Sequence, residues 1–123
     1  MAKILVVDDS EIARVQVKTD LIEASHEVFE AENGIKGLEA LNANKGIQLI
    51  ITDVNMPEMD GLSMCEEIHG NSELNKIPII MLTTQSNVEM KAKGKSNGVV
   101  AWINKPHNPK TLIAGIEKIL SRG

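Results

Sequence analysis

Residues 3–9 read Lys3-Ile4-Leu5-Val6-Val7-Asp8-Asp9, a short apolar run stopped by two aspartates. Such a run suits a strand covered on both faces, as in a parallel sheet. Two runs of the same kind follow at residues 48–52 (QLIIT) and 78–82 (PIIML), with weaker strand candidates at 27–31 (EVFEA) and 99–103 (VVAWI). Helical spacing fills the gaps between them. Ala13, Val17, Leu21 and Ala24 recur every three to four residues, with Arg14, Lys18 and Glu23 between them. Ile35, Leu38 and Leu41 predict an apolar stripe on a second helix after Asn33-Gly34, and Leu62, Cys65 and Ile68 one on a third after Asp60-Gly61. The last helix starts with Asn108 as cap and Pro109 at its first position, then shows Leu112, Ile113, Ile116, Ile119 and Leu120 on one face. The polar segment around 87–95 predicts a loosely packed, mobile fourth helix. Five strands alternating with five helices give an α/β, doubly wound (βα)5 chain with a five-stranded parallel sheet and right-handed crossovers.

Composition narrows the function. At 123 residues the chain has room for one domain, and neither an internal repeat nor a low-complexity linker divides it. Thirteen basic against 17 acidic residues leave a net charge of −4, which argues against binding nucleic acid through clustered lysine and arginine. One Phe, one Trp and no Tyr leave little aromatic surface for base stacking. The single Cys65 excludes an internal disulfide framework and a multi-cysteine zinc site, and at the apolar spacing of the third helix it reads as a small buried hydrophobe. No apolar run approaches the roughly 18–20 residues that span a bilayer, and the N-terminal run is too short for a signal peptide. The cytoplasm is the expected location, with no membrane partner. His26 and His69 read as surface residues at element ends, and the six methionines as core filler.

Ligands of open parallel sheets bind beyond the carboxyl ends of the strands. The first run ends in Asp8-Asp9, the third in Asp53 of the stretch TDVNMPEMDG, the fourth in Thr83-Thr84 and the fifth in Asn104-Lys105-Pro106. Each has an ordinary reading alone: a loop acid, a helix cap, a strand-end hydroxyl, a surface lysine. Their joint delivery to one rim is what carries chemistry. Three carboxylates repel one another unless protonated or neutralised. A hard divalent cation with oxygen ligands relieves that repulsion, and Mg2+ fits because it takes one or two carboxylates and leaves positions for a phosphoryl oxygen. With Lys105 and the Thr83 hydroxyl beside it, phosphoryl transfer to an aspartate could be stabilised electrostatically.

Asp8-Asp9, Asp53, Thr83 and Lys105-Pro106 match, in order and spacing, the receiver domain of two-component response regulators, and the chain resembles that family along its whole length. Within the family it is most similar to the stand-alone chemotaxis type, so residues 1–123 read as a single receiver domain without an output domain. The resemblance implies the flavodoxin-like strand order 2-1-3-4-5 and a cis Lys105-Pro106 peptide. It implies that Asp53 accepts a phosphoryl group from a histidine kinase. Asp9, Asp53 and the carbonyl of Asn55 would hold Mg2+, with Asp8 acting through water. Lys105 and Thr83 would bind the phosphoryl oxygens, and Trp102 would turn inward as the switch. A target, with the flagellar motor switch as the family precedent, would then meet a helix 4–strand 5–helix 5 face carrying Val88, Lys91, Lys95, Trp102, His107, Thr111 and Lys118. A phosphatase is a further possible partner, and a monomer is expected.

Two residues depart from the family pattern. His107 stands where Phe is usual, which changes the expected chemistry of the partner face. Thr84 stands where a smaller residue is common, which is expected to restrict how Trp102 turns in. Asn55 and Gln85, two residues past Asp53 and Thr83, are uncharged where the family tunes phosphoryl lifetime. Three rivals are weighed. An aspartate-nucleophile Mg2+ phosphatase of the haloacid dehalogenase type needs an acid two residues after Asp53, where Asn55 cannot protonate a leaving group. A flavodoxin-like cofactor binder needs phosphate donors where Asp8-Asp9 would repel the phosphate. A phosphorelay intermediate passing its phosphoryl group to another histidine uses the same residues.

Overall fold

Five parallel strands, β1 (Lys3–Val7), β2 (Glu27–Ala31), β3 (Leu49–Thr52), β4 (Ile79–Thr83) and β5 (Val99–Asn104), are hydrogen-bonded in the order β2-β1-β3-β4-β5. This is the flavodoxin-like (βα)5 order that the resemblance implied. The computed structural model describes residues 1–122. Every residue of β3 and β4, and all of β1 after Lys3, is buried, because helices cover both faces of the central sheet. Edge strand β5 has a register shift opposite Ile79/Ile80 that leaves Val100 outside the pairing and half exposed.

The connecting helices are α1 (Glu11–Glu23), α2 (Gly34–Ala43), α3 (Gly61–His69), α4 (Val88–Ser96) and α5 (Pro109–Ser121). α1 and α5 cover one face, where Val17, Leu21, Leu112 and Ile116 meet Ile4, Val6, Ile51, Ile80 and Leu82. The other face packs Leu41, Met64, Cys65 and Ile68 on Leu5, Val7, Ile50 and Met81. Each helix starts under a side-chain cap: Ser10, Asn33, Asp60, Asn87 and Asn108 accept from the backbone N–H three residues on. Ser10 takes the cap of α1, so Asp8 and Asp9 are not consumed by it.

Two expectations shift, for α2 and for His26, while α4 is as sparsely buried as its polar sequence suggests. The buried side of α2 is Gly34, Gly37 and Leu41, whereas Ile35 is 39% exposed. A Cβ at Gly37 would come within 2.7 Å of Met64 Sδ, so the helix lies too close to α3 and β1 for a side chain there. His26 is half-buried: its Nδ1 accepts from the Ala2 N–H at 3.1 Å and its Nε2 is enclosed. Burial and the neighbouring N-terminal amine together pull its pKa down. α4 buries only Gly94, through which it meets Trp102 and Val99. Among the described residues, no helix is long and apolar enough to cross a membrane.

Candidate functional site

Parallel strands present their carboxyl ends at one edge, and the order reverses between β1 and β3, which opens a crevice there. Asp8 and Asp9 follow β1, Asp53 follows β3, Thr83 ends β4 and Lys105 follows β5. One carboxylate oxygen from each of Asp8, Asp9 and Asp53 lies within 4.8 Å of the others. Asp8 is buried, Asp53 half-buried and Asp9 exposed. Lys105 Nζ donates to Oδ2 of Asp8 and to Oδ2 of Asp53, each at 2.7 Å. Burial pulls the Lys105 pKa down, but hydrogen bonds and attraction from Asp53 and Asp8 outweigh it, and the net shift is upward. The ammonium is therefore fixed between two acids drawn from opposite sides of the crevice.

One ammonium against three carboxylates leaves an excess of negative charge. The donors are all hard oxygens held on the ends of rigid strands, without a thiolate or imidazole among them, so the set fits a hard divalent cation such as Mg2+.

The loop after β3 is braced by groups that the linear pattern did not reveal. Asp53 Oδ1 accepts from the Val54 N–H at 2.6 Å. The Gly34 N–H donates to the Met59 carbonyl at 2.9 Å, and Asn33 Nδ2 donates to Glu58 Oε2 at 3.3 Å. Glu58 holds a positive φ of 66° in this loop. Asn33 caps α2, and its hold on the Asp53 loop spans 25 residues and has no local signature. Arg14 likewise donates to the Asp8 carbonyl at 2.7 Å while pairing with Glu30. Asn55 is exposed in the same loop.

Thr83 is fully buried, and its Oγ1 accepts from the Gln85 N–H at 3.1 Å. The Gln85 carbonyl accepts from Trp102 Nε1 at 3.0 Å. The peptide groups of Gln85 thus connect the hydroxyl at the crevice to the indole on β5. Trp102 is half-buried against the α3–α4 side of the core. Thr84 is exposed and lines a cleft with Ala13, Gln16, Val17 and Leu82 on the α1 side, the opposite layer from Trp102.

Val88, Lys91, Lys95, Thr111 and Lys118 are exposed on α4 and α5 on either side of edge strand β5, with Val88 84% exposed. His107 leaves this set. Its imidazole turns to α1 and meets Asp20, whose half-buried carboxylate is the acceptor there. The Lys105–Pro106 peptide is cis.

The response regulator receiver domain family matches residues 4–117. The chain belongs to that family, whose members are phosphorylation-activated signalling domains. Among full-length relatives, chemotaxis protein CheY1 of Helicobacter pylori (strain ATCC 700392 / 26695) is 40% identical over 96% of both chains. A CheY homolog of Campylobacter jejuni (serotype O:23/36) is 36% identical, covering 98% of this chain and 94% of its own. The structure of Vibrio cholerae CheY4 superposes with a TM-score of 0.89 at 38% identity, over 96% of this chain and 98% of that one. The chain is therefore a CheY-like receiver, a signalling domain that implies a histidine kinase upstream and a target downstream.

Proposed function

We propose that Asp53 is the phosphoryl acceptor of a chemotaxis receiver, with Asp8, Asp9, Asp53 and the Asn55 carbonyl as the Mg2+ site. The observation that carries this reading is the Lys105 ammonium bridging Asp8 and Asp53 at 2.7 Å each. A carboxylate oxygen of Asp53 attacks the phosphorus of a phosphohistidine, the P–N bond breaks, and the imidazole nitrogen keeps the electron pair. Lys105 is positioned to follow the charge from carboxylate to phosphoryl oxygen, since it already reaches the acceptor. Bound Mg2+ supplies electrostatic stabilisation of the charge that builds on the phosphoryl oxygens.

The switch then runs through Gln85. A phosphoryl oxygen that draws the Thr83 hydroxyl toward it weakens the acceptor of the Gln85 N–H. Movement of Gln85 withdraws its carbonyl from Trp102 Nε1, and the indole leaves its present place. The surface around Val88, Lys91, Lys95, Trp102, Thr111 and Lys118 combines apolar and basic groups, which suits an amphipathic acidic segment of a target. The names of the CheY relatives support chemotaxis; the flagellar motor switch, in the cytoplasm, is the target we propose.

Intact-mass measurement after incubation with Mg2+ and acetyl phosphate tests the acceptor. One added phosphoryl group is expected on the wild type and none on Asp53→Asn or in a metal-free sample. An adduct that persists on Asp53→Asn moves the acceptor elsewhere.

A further inference from the structure

His107 Nε2 lies 2.6 Å from Asp20 Oδ2, and the two side chains are 10% and 19% exposed. A carboxylate only accepts hydrogen bonds, so Nε2 carries a proton and donates. This bond spans 87 residues of sequence and joins the β5–α5 connection to the last turn of α1. Among the described residues, the connection's other backbone hydrogen bonds lie at its ends. The Lys105 N–H donates to the Thr83 carbonyl at 3.0 Å, and Asn108 caps its own helix through the Thr111 N–H at 3.1 Å. Pro106 has no N–H to give. A cleft of about 200 Å³ between Lys105, Pro106 and His107 of the connection and Ala13, Gln16 and Val17 of α1 leaves part of the connection unpacked against that helix.

Lys105 sits two residues before His107 and makes two 2.7 Å bonds to acids on other strands. Its reach to both depends on where the connection rests. We infer that the His107–Asp20 pair is a latch that positions Lys105 for phosphoryl transfer, making both residues positioning residues of the reaction. The latch rests on the reading of Asp53 as acceptor. It also places the histidine at work on the α1 side of the domain, not on the target face.

Five variants test it: Asp20→Ala, Asp20→Asn, His107→Phe, Lys105→Ala, and Asp20→Ala combined with Lys105→Ala. Asn keeps an acceptor for Nε2, whereas Phe keeps a ring and loses the donor. Two readouts are followed: uptake from acetyl phosphate with Mg2+, and the NMR resonance of the Lys105 Nζ ammonium. Asp20→Ala and His107→Phe are expected to lower the limiting rate by about tenfold, within the range that ångström-scale misplacement costs. The half-saturating phosphodonor concentration should stay constant, and Asp20→Asn should remain near wild type. On the Lys105→Ala background, Asp20→Ala should add nothing. In Asp20→Ala and His107→Phe the Nζ resonance should shift or broaden. Wild-type rates and an unmoved Nζ resonance in both overturn the latch while leaving the acceptor assignment standing. A further slowing on the Lys105→Ala background overturns it too, because the pair would then act on something else. If the wild type takes up no phosphoryl group, the acceptor assignment fails and the Nζ resonance alone decides the latch.

Discussion

Gly61, the first residue of α3, lies against the peptide carbonyl of Asp53 so closely that a methyl group in its place would overlap that oxygen. The Gly61 N–H donates to the Val54 carbonyl at 2.8 Å, closing the loop that begins at the candidate acceptor. The obstacle is backbone, which cannot swing aside as a side-chain tip can. Gly61→Ala should therefore cost about 1–3 kcal/mol in urea denaturation, the usual range for overpacking. It should also slow phosphoryl uptake, because relief of the overlap displaces Asp53.

Gly115 gives the opposite expectation. It lies inside α5, and a Cβ there meets nothing within 4 Å. Gly115→Ala should stabilise the chain by about 0.5–1 kcal/mol, since alanine loses less backbone entropy in a helix. Thermal denaturation of the two alanine variants side by side separates the steric effect from helix propensity.

The acidic cluster makes stability sensitive to divalent cations. A ligand bound only by the folded chain adds about 2.7 kcal/mol when present at about a hundredfold excess over its Kd. Mg2+ should raise the thermal midpoint and EDTA should reverse the gain. Asp9→Ala, which removes the exposed carboxylate of the cluster, should largely abolish the Mg2+ response.

Glu30 on β2 accepts from Lys18 Nζ at 2.9 Å and Arg14 Nε at 3.1 Å. The Lys18 hydrogen bond, joined by Arg14 and opposed by burial, holds its pKa below the ordinary glutamate value. A carboxyl lowered on folding contributes stability above its unfolded pKa and loses it as pH falls through the folded one. At 29% side-chain exposure the contribution is that of a screened pair, about 0.2–1 kcal/mol. Glu30→Gln should thus be less stable than wild type at neutral pH, and urea melts should converge below the lowered pKa.

Trp102 is the only tryptophan and the chain has no tyrosine, so its ultraviolet emission comes from one ring beside Gln85 and Gly94. Emission should change on phosphoryl uptake. Thr83→Ala, which deletes the acceptor of the Gln85 N–H, should suppress that change while still allowing uptake.

The strands were legible because helices cover the central sheet on both faces, so β1, β3 and β4 appear as continuous apolar runs. β4 and β5 each extend one residue beyond their apolar runs, to Thr83 and Asn104, where hydrogen bonding continues past the hydrophobic signal. On α2 the stripe through Ile35 was misplaced, because a contact made through Gly37 leaves no apolar letter to count. The rim of the site was legible because each strand hands its next residue to the same edge. His107 was not, since its partner Asp20 is far away in sequence and nothing near either residue announces the other. The Trp102 environment was equally hidden, because its acceptor is a backbone carbonyl, which every residue possesses.

Cys65 lies fully buried in α3 on the sheet, and burial pushes its thiol up to about 12. A neutral, enclosed thiol does not react with alkylating reagents while the helix stays seated. Alkylation therefore runs only in the moments when α3 lifts, and the sole cysteine becomes a chemical clock for that opening. Because α3 begins at Gly61 against Asp53, the rate of that clock with and without a phosphoryl group would report how firmly the modified loop is held down.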